Sequence, residues 1–353
     1  MNGFYYEHPT NPPALLPPGT RLDQFVLGEM LNGGGFGQIF DAKVPGKTAN
    51  VVVKIEAVTA KYHLLLNEAS CLKSLNEVYG TIKNGPFLKY YGYGQLNGHR
   101  FLAMEKCGTN MRELKRRQPA DRFSIPTSLW LFHSMIESIE MMHNIGWLHR
   151  DVKPANFCIS ATNRRTLIML DFGMSKCYVE PDGTLKPRQP SAPFFGTLRY
   201  VSVNIHNRQD ASRWDDIWSC FYIATENIVG YLPWRRLGDA NLVAKYKAKS
   251  DLSRLRYSNE YQPMSLALCQ QHLTTSMDPA YFYTPPPYKL LLGEIRKDLS
   301  ARGLQLDTVS LDWNKSINYS TPPLVPTTPA KVATKKIVQQ QHYDQGDRSV
   351  CFY

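Results

Sequence analysis

The stretch His149-Arg150-Asp151-Val152-Lys153-Pro154-Ala155-Asn156, followed fifteen residues later by Asp171-Phe172-Gly173, is the most informative part of this chain. Two carboxylates, an amide and a lysine fall within a short span. The side chains of Asn156 and Asp171 offer the oxygen ligands that a hard cation such as Mg2+ takes. Either short piece recurs by chance, so the groups standing upstream and downstream of them carry the weight.

Upstream, Leu31-Asn32-Gly33-Gly34-Gly35-Phe36-Gly37-Gln38-Ile39 separates two segments of alternating apolar residues. Glycines in such a place let backbone N–H groups approach phosphates without obstruction by Cβ. A glycine-rich hairpin with no ligand is at least as common. Lys54 lies in the strand pattern Val51-Val52-Val53-Lys54-Ile55-Glu56. Glu68 follows fourteen residues on, in a helical pattern over residues 60–75 that sets Leu65, Glu68, Leu72 and Leu75 on one face. Taken singly, Lys54 and Glu68 read as solvated charges. Phosphoryl transfer needs a cradle for phosphates, cations against their charge, metal ligands and a group to orient the nucleophile. The chain offers all four in order.

The ordered set Lys54, Glu68, Asp151, Asn156 and Asp171 is identified as that of the protein kinases. The resemblance implies a bilobal α+β fold, with a β-rich first lobe and a mostly helical second one. It implies that Asp151 accepts or orients the substrate hydroxyl and that Lys153 sits near the γ-phosphate. Lys54 is expected on the α- and β-phosphates, oriented by Glu68, and Asn156 and Asp171 on Mg2+. Residues 31–39 are expected to cover the phosphates of ATP. Lysine two places after Asp151 is the serine/threonine pattern.

Gly196-Thr197-Leu198-Arg199-Tyr200-Val201-Ser202-Val203-Asn204 resembles the casein kinase 1 superfamily, which carries Ser-Ile-Asn there. Trp214-Asp215-Asp216-Ile217-Trp218-Ser219 and Leu232-Pro233-Trp234-Arg235-Arg236 look closest to its tau-tubulin branch. The glycine loop followed by Phe40-Asp41-Ala42, and Leu170-Asp171-Phe172-Gly173 with Pro181-Asp182-Gly183-Thr184 downstream, point the same way. The similarity covers about residues 24–300. It implies phosphotransfer from Mg-ATP to protein serine and threonine, with acidic or phospho-primed sites favoured. Met104 falls at the gatekeeper position, Glu105 and Cys107 offer backbone hydrogen bonds to adenine, and Cys158 lies under the ring. Asp216 is expected to anchor the catalytic loop. Arg199 corresponds to part of a substrate anion site, which Lys186, Arg188, Arg235 and Arg236 are placed to support. Three positions depart from the pattern. Asn32 replaces a loop glycine, Pro286-Pro287-Tyr288 stands for Pro-Asp-Tyr, and Gly238 stands where relatives carry a lysine.

The 353 residues, 43% hydrophobic, suffice for two packed lobes. A proline-rich leader (1–21), a kinase domain (22–308; lobes about 22–105 and 109–308) and a disordered tail (309–353) are expected. Residues 127–143 read as a helix with Phe132, Met135, Ile136, Ile139 and Met142 as its stripe, capped by Thr127 or Ser128. Seven scattered cysteines without a C-x-x-C pair argue against a disulfide framework or a zinc site, and fit a reducing cytosol or nucleus. Cys158 reads as a small buried hydrophobe. No signal peptide, membrane span or prenylation box is read. The net charge of +11, concentrated between the ends, suits acidic or phosphorylated protein partners or simply solubilises the body. Nucleic acid and membrane are not expected as partners, and a monomer is. Two other classes stay open: a catalytically weak, pseudokinase-like scaffold, and a structural module that keeps its pocket.

Overall fold

The computed structural model describes residues 16–34, 37–46, 50–252, 255 and 263–314. Gly35 and Phe36 of the expected phosphate cover, residues 1–15 of the leader and residues 315–353 of the tail lie outside them.

Branched and aromatic residues in period-2 runs build a six-stranded antiparallel sheet from β1 (Arg21–Leu22), β2 (Phe25–Gly34), β3 (Gly37–Lys43), β4 (Val51–Ala57), β5 (Tyr90–Leu96) and β6 (His99–Glu105). Its spatial order is β1-β2-β3-β4-β6-β5. Alternation in β4 divides its side chains between two cores. Val51, Val53 and Ile55 join Phe25, Phe40 and Phe101 on one face. Val52 joins Leu65, Leu72 and Leu102 on the other. Lys54 shares the parity of Val52, so it faces the helix that packs there.

That helix, α1 (Leu64–Tyr79), buries Leu65, Glu68, Leu72 and Leu75 as the spacing predicts. It starts four residues later than the pattern over 60–75 suggests and runs four residues further. The side chain of its N-cap residue, His63, makes no capping bond. Instead the carboxylate of Glu56, at the end of β4, accepts from the N–H of Leu65 at 3.5 Å.

Beyond the sheet come α2 (Met111–Arg116) and α3 (Ile125–Asn144). The stripe expected on α3 is buried, but the helix begins at Ile125, with Ser124 rather than Thr127 or Ser128 as N-cap. Ser124 Oγ accepts from Thr127 N, and Pro126 in the first turn has no N–H to satisfy. Two small two-stranded sheets follow: β7 (Trp147–Leu148) pairs with β10 (Lys176–Cys177), and β8 (Phe157–Ile159) with β9 (Leu167–Met169). The remaining helices are α4 (Val203–His206), α5 (Arg213–Val229), α6 (Ala240–Lys249), α7 (Met264–Thr275) and α8 (Tyr288–Ser300). The fold is the expected α+β, sheet first and helices after. Helix α5 is opened by a reciprocal capping box between Ser212 and Asp215 and closed by Gly230 in the left-handed region.

Residues 309–314 were expected in the tail, and here the structure corrects the boundary. Val309 and Leu311 are fully buried, and the Trp313 ring meets Phe123 and Trp130 edge-on, each at 5.9 Å. The Asp312 carboxylate accepts from Ser124 N at 2.7 Å, at the start of α3. Three apolar residues at alternate positions were enough to pack this segment against α3.

Candidate active site

The loop between β7 and β8 is held from below by Asp216, near the start of α5. Its carboxylate accepts from the N–H of His149 at 2.8 Å and of Arg150 at 2.9 Å. It also meets His143 Nε2 at 3.0 Å, while His143 Nδ1 lies 2.6 Å from the Tyr288 hydroxyl. Burial keeps His143 neutral, so Nε2–H donates to Asp216 and Nδ1 accepts from Tyr288. Burial alone raises the Asp216 carboxyl; the hydrogen bonds from His143 and from the His149 N–H work against it, and Asp216 ends below its ordinary value. Tyr288 therefore keeps its place in the packing although Pro287 stands before it where the resemblance led us to expect Asp.

On that base, Asp151 is held on both oxygens. Oδ1 accepts from the Thr197 hydroxyl and Oδ2 from Lys153 Nζ, each at 2.8 Å. Asn156 Nδ2 donates to the Asp151 carbonyl at 2.9 Å. Its Oδ1 is buried without a hydrogen-bond partner.

Asp171 takes a positive φ of 60°, which turns its side chain back towards the sheet. Lys54 Nζ lies 2.7 Å from Glu68 Oε2 and 3.4 Å from Asp171 Oδ1. Burial pushes the Asp171 carboxyl up, but Lys54, Lys153 and His149 outweigh that and hold it at about 2. Burial pushes Glu68 the other way, above its ordinary value, despite Lys54. An ionised carboxylate and an orphaned amide oxygen together make a donor set that fits Mg2+. Asn67 was not singled out in the sequence. It sits one residue before Glu68 and its amide reaches the carbonyls of Phe172, Gly173 and Ser175 at 3.2, 2.9 and 2.8 Å, pinning the Asp-Phe-Gly turn to α1. Only the helical phase of α1 relative to that turn gives Asn67 its role.

In the β2–β3 hairpin, Asn32 pairs with Ile39, Gly33 with Gln38 and Gly34 with Gly37. Gly37 has φ +120°, and a Cβ there would strike the Ile55 carbonyl, so this site admits only glycine. Leu31 packs partly against the core. Met104 is buried at the inner end of β6 beside Val52, its partner in the ladder. Glu105 N–H is already bonded to Lys89 O at 2.9 Å, so only its carbonyl stays for an adenine ring.

The cysteines differ from expectation. Cys107 and Cys158 are joined as a disulfide, their Cα atoms 6.5 Å apart. Scattered spacing argued against such a bond, and Cys158 read as an isolated hydrophobe. The chain path overrides the spacing. Gly108 N bonds Ile159 O at 3.1 Å and Ile159 N bonds Thr109 O at 3.0 Å, which brings the two segments side by side.

The five cations proposed for an anion site do not share one set of neighbours. Arg199 lies 3.6 Å from Glu226 Oε1 and donates to Arg235 O at 3.5 Å. Lys186 donates to Cys177 O at 3.2 Å, and Arg188 donates to Gln209 at 2.5 Å and stacks on Phe282. Arg235 and Arg236 are exposed, and Gly238 borders open space. Residues 197–201 are held instead by Lys247 of α6, which was not singled out. Its buried Nζ donates to Leu198 O at 2.9 Å and Val201 O at 2.5 Å, over the rings of Tyr222 and Trp234. Burial drives this amine well below its ordinary value.

Residues 25–280 match the family model of the protein kinase domain. The chain is 36% identical over 219 residues to a probable serine/threonine-protein kinase of Dictyostelium discoideum, covering 61% of this chain and 43% of that protein. It is 30% identical over 229 residues to a putative casein kinase I of Caenorhabditis elegans, covering 63% and 65% respectively. To the serine/threonine-protein kinase spe-6 of the same nematode it is 27% identical over 237 residues, covering 65% and 61%. The chain thus spans less than two thirds of each of these relatives.

Proposed function

This chain belongs to the protein kinase family, and from that membership we propose that it is an active serine/threonine kinase of the tau-tubulin branch of the casein kinase 1 superfamily. Its reaction is transfer of the γ-phosphate of Mg-ATP to protein hydroxyls. The observation that carries the proposal is the Asp151 carboxylate, held on one oxygen by Thr197 and on the other by Lys153. That grip fixes a proton acceptor and hydroxyl-orienting group beside the orphaned oxygen of Asn156 and the ionised Asp171.

The side chains divide the work. Asp151 orients the incoming hydroxyl and takes its proton at a carboxylate oxygen. Lys153 and Lys54 set positive charge where the phosphates lie, Lys54 being aimed by Glu68. Asn156 and Asp171 would hold Mg2+, which would supply positive charge against the phosphates. Met104, the Glu105 carbonyl, Cys107 and Cys158 bound the adenine seat. The net charge of +11 supports acidic or phospho-primed protein substrates, with Arg199 and the exposed Arg235 and Arg236 on the acceptor side.

The test is Mg2+-dependent transfer of labelled γ-phosphate to an acidic serine/threonine peptide by the purified full chain, with Asp171→Asn as blank. Transfer above the blank is expected. Nucleotide binding with no transfer above the blank would favour the scaffold instead.

A further inference from the structure

The bond between Cys107 and Cys158 lies at the edge of the nucleotide cleft. Cys107 stands in the connector that leaves β6, and Cys158 in the middle of β8. Both residues are buried, at 4% and 0% exposure. The backbone, rather than the sulfur bridge alone, sets their separation. The two bonds between Gly108, Thr109 and Ile159, and the pairing of Asn110 with Cys158, brace the connector against β8. A Cα separation of 6.5 Å lies within the range that a disulfide spans without backbone movement. With the bond open, the two thiols therefore stay within closing distance. The other described cysteines, Cys71, Cys177, Cys220 and Cys269, are free.

We propose that Cys107 and Cys158 form a reversible redox modification site under the adenine seat, closed by a peroxide, opened by a thiol reductant, and shielded by a bound nucleotide. Closing runs in two balanced steps. One thiolate attacks a peroxide oxygen, the O–O bond breaks, and water leaves a sulfenic acid. The second thiol attacks that sulfur, the S–O bond breaks, and a second water leaves the disulfide. Two electrons pass from the sulfur pair to the peroxide. Opening is thiol–disulfide exchange, in which the reductant's two thiols become its own disulfide and return two hydrogens to Cys107 and Cys158. An adenine ring seated over Cys158 covers both sulfurs and so slows both directions. That shielding rests on the nucleotide reading above; the cross-link does not.

The experiment uses the full chain, reduced with dithiothreitol, freed of it and exposed to hydrogen peroxide, then mapped by peptide mass spectrometry. A linked pair of peptides holding Cys107 and Cys158, two hydrogens lighter than the reduced pair and reopened by dithiothreitol, is expected. In Cys158→Ser, Cys107 should remain a thiol or sulfenic acid and not pair with Cys177. The proposal is overturned by Cys107 and Cys158 staying apart after peroxide, by either one linking elsewhere, or by a bond that dithiothreitol leaves closed. A non-hydrolysable ATP analogue with Mg2+, its binding measured by calorimetry, should slow the cross-link severalfold. Equal rates at saturation overturn the shielding. An analogue that does not bind defeats the nucleotide reading and leaves the cross-link to be judged by its own mapping.

Discussion

The Thr197 hydroxyl donates to Asp151 Oδ1 at 2.8 Å, joining two segments 46 residues apart. Gly196, with φ +96°, makes the approach possible, because a Cβ there would run into the Arg150 carbonyl and Val201. The Lys247 amine then holds the next turn by the carbonyls of Leu198 and Val201. Asp151, residues 196–201 and a buried lysine thus form one connected unit.

Asp151→Asn removes the acceptor oxygen while leaving the cleft's charges otherwise in place. Turnover should fall by roughly 10²–10⁴-fold, the usual worth of a positioned acid or base. Nucleotide affinity, measured by calorimetry, should hardly change. Retention of most of the turnover would sink the role given to Asp151.

Lys247→Met keeps the apolar stem against Tyr222 and Trp234 but leaves two carbonyls without this donor. Each such loss costs about 1–3 kcal/mol where water cannot reach, so the Tm should drop. The telling readout is kinetic: KM for the protein substrate should rise while KM for ATP stays. An equal rise in both would mean that Lys247 only supports the fold.

Stability should also fall with pH through His206. Burial, together with the Lys247 amine and the Arg208 guanidinium, lowers its imidazole from 6.5 to about 3, and the facing Phe194 ring offers no charge. Above about pH 6.5 the stabilisation is complete. As pH falls towards about 3, the unfolded chain binds a proton that the fold refuses, costing up to about 1.4 kcal/mol per pH unit. His133, lowered to about 4 by burial and Arg296, acts in the same sense. The difference in Tm between wild type and His206→Gln should therefore narrow on acidification from pH about 6.5, and a constant difference would remove the assignment.

Two truncations test the corrected boundary. A chain ended at Thr308 loses Val309, Leu311, Asp312 and Trp313, and the Trp313 side chain alone is worth about 3–5 kcal/mol as a core aromatic. Its Tm should lie well below that of a chain ended at Asn314. Equal melting of the two would show that the packing of Trp313 on Phe123 and Trp130 adds nothing.

Much of the site was legible beforehand because its parts lie in short local motifs. The loop from His149 to Asn156 and the Asp-Phe-Gly turn carry their functional groups at fixed spacing. Glu68 was placed correctly by helical periodicity, since Leu65, Leu72 and Leu75 define the buried face. Caps were less legible: Ser124, Thr127 and Ser128 are chemically interchangeable at a helix start, and Pro126 together with Asp312 from the far end settled the choice. The segment 309–314 was misread because its three apolar residues stand among polar ones, and their burial depends on a surface that α3 supplies.

By itself, the sequence determined which groups are present, in what order, and which face of each strand or helix they share, because periodicity and motif spacing are properties of neighbouring residues. Tertiary structure alone decided which distant groups meet. It put Lys247 on the carbonyls of Leu198 and Val201, turned Arg199 towards Glu226, and set Cys107 against Cys158. The physical reason is that each of these contacts depends on the direction and separation of two packed segments. Those are fixed by the burial of many other side chains and by backbone bonds such as Gly108 to Ile159, to which the spacing along the chain is blind.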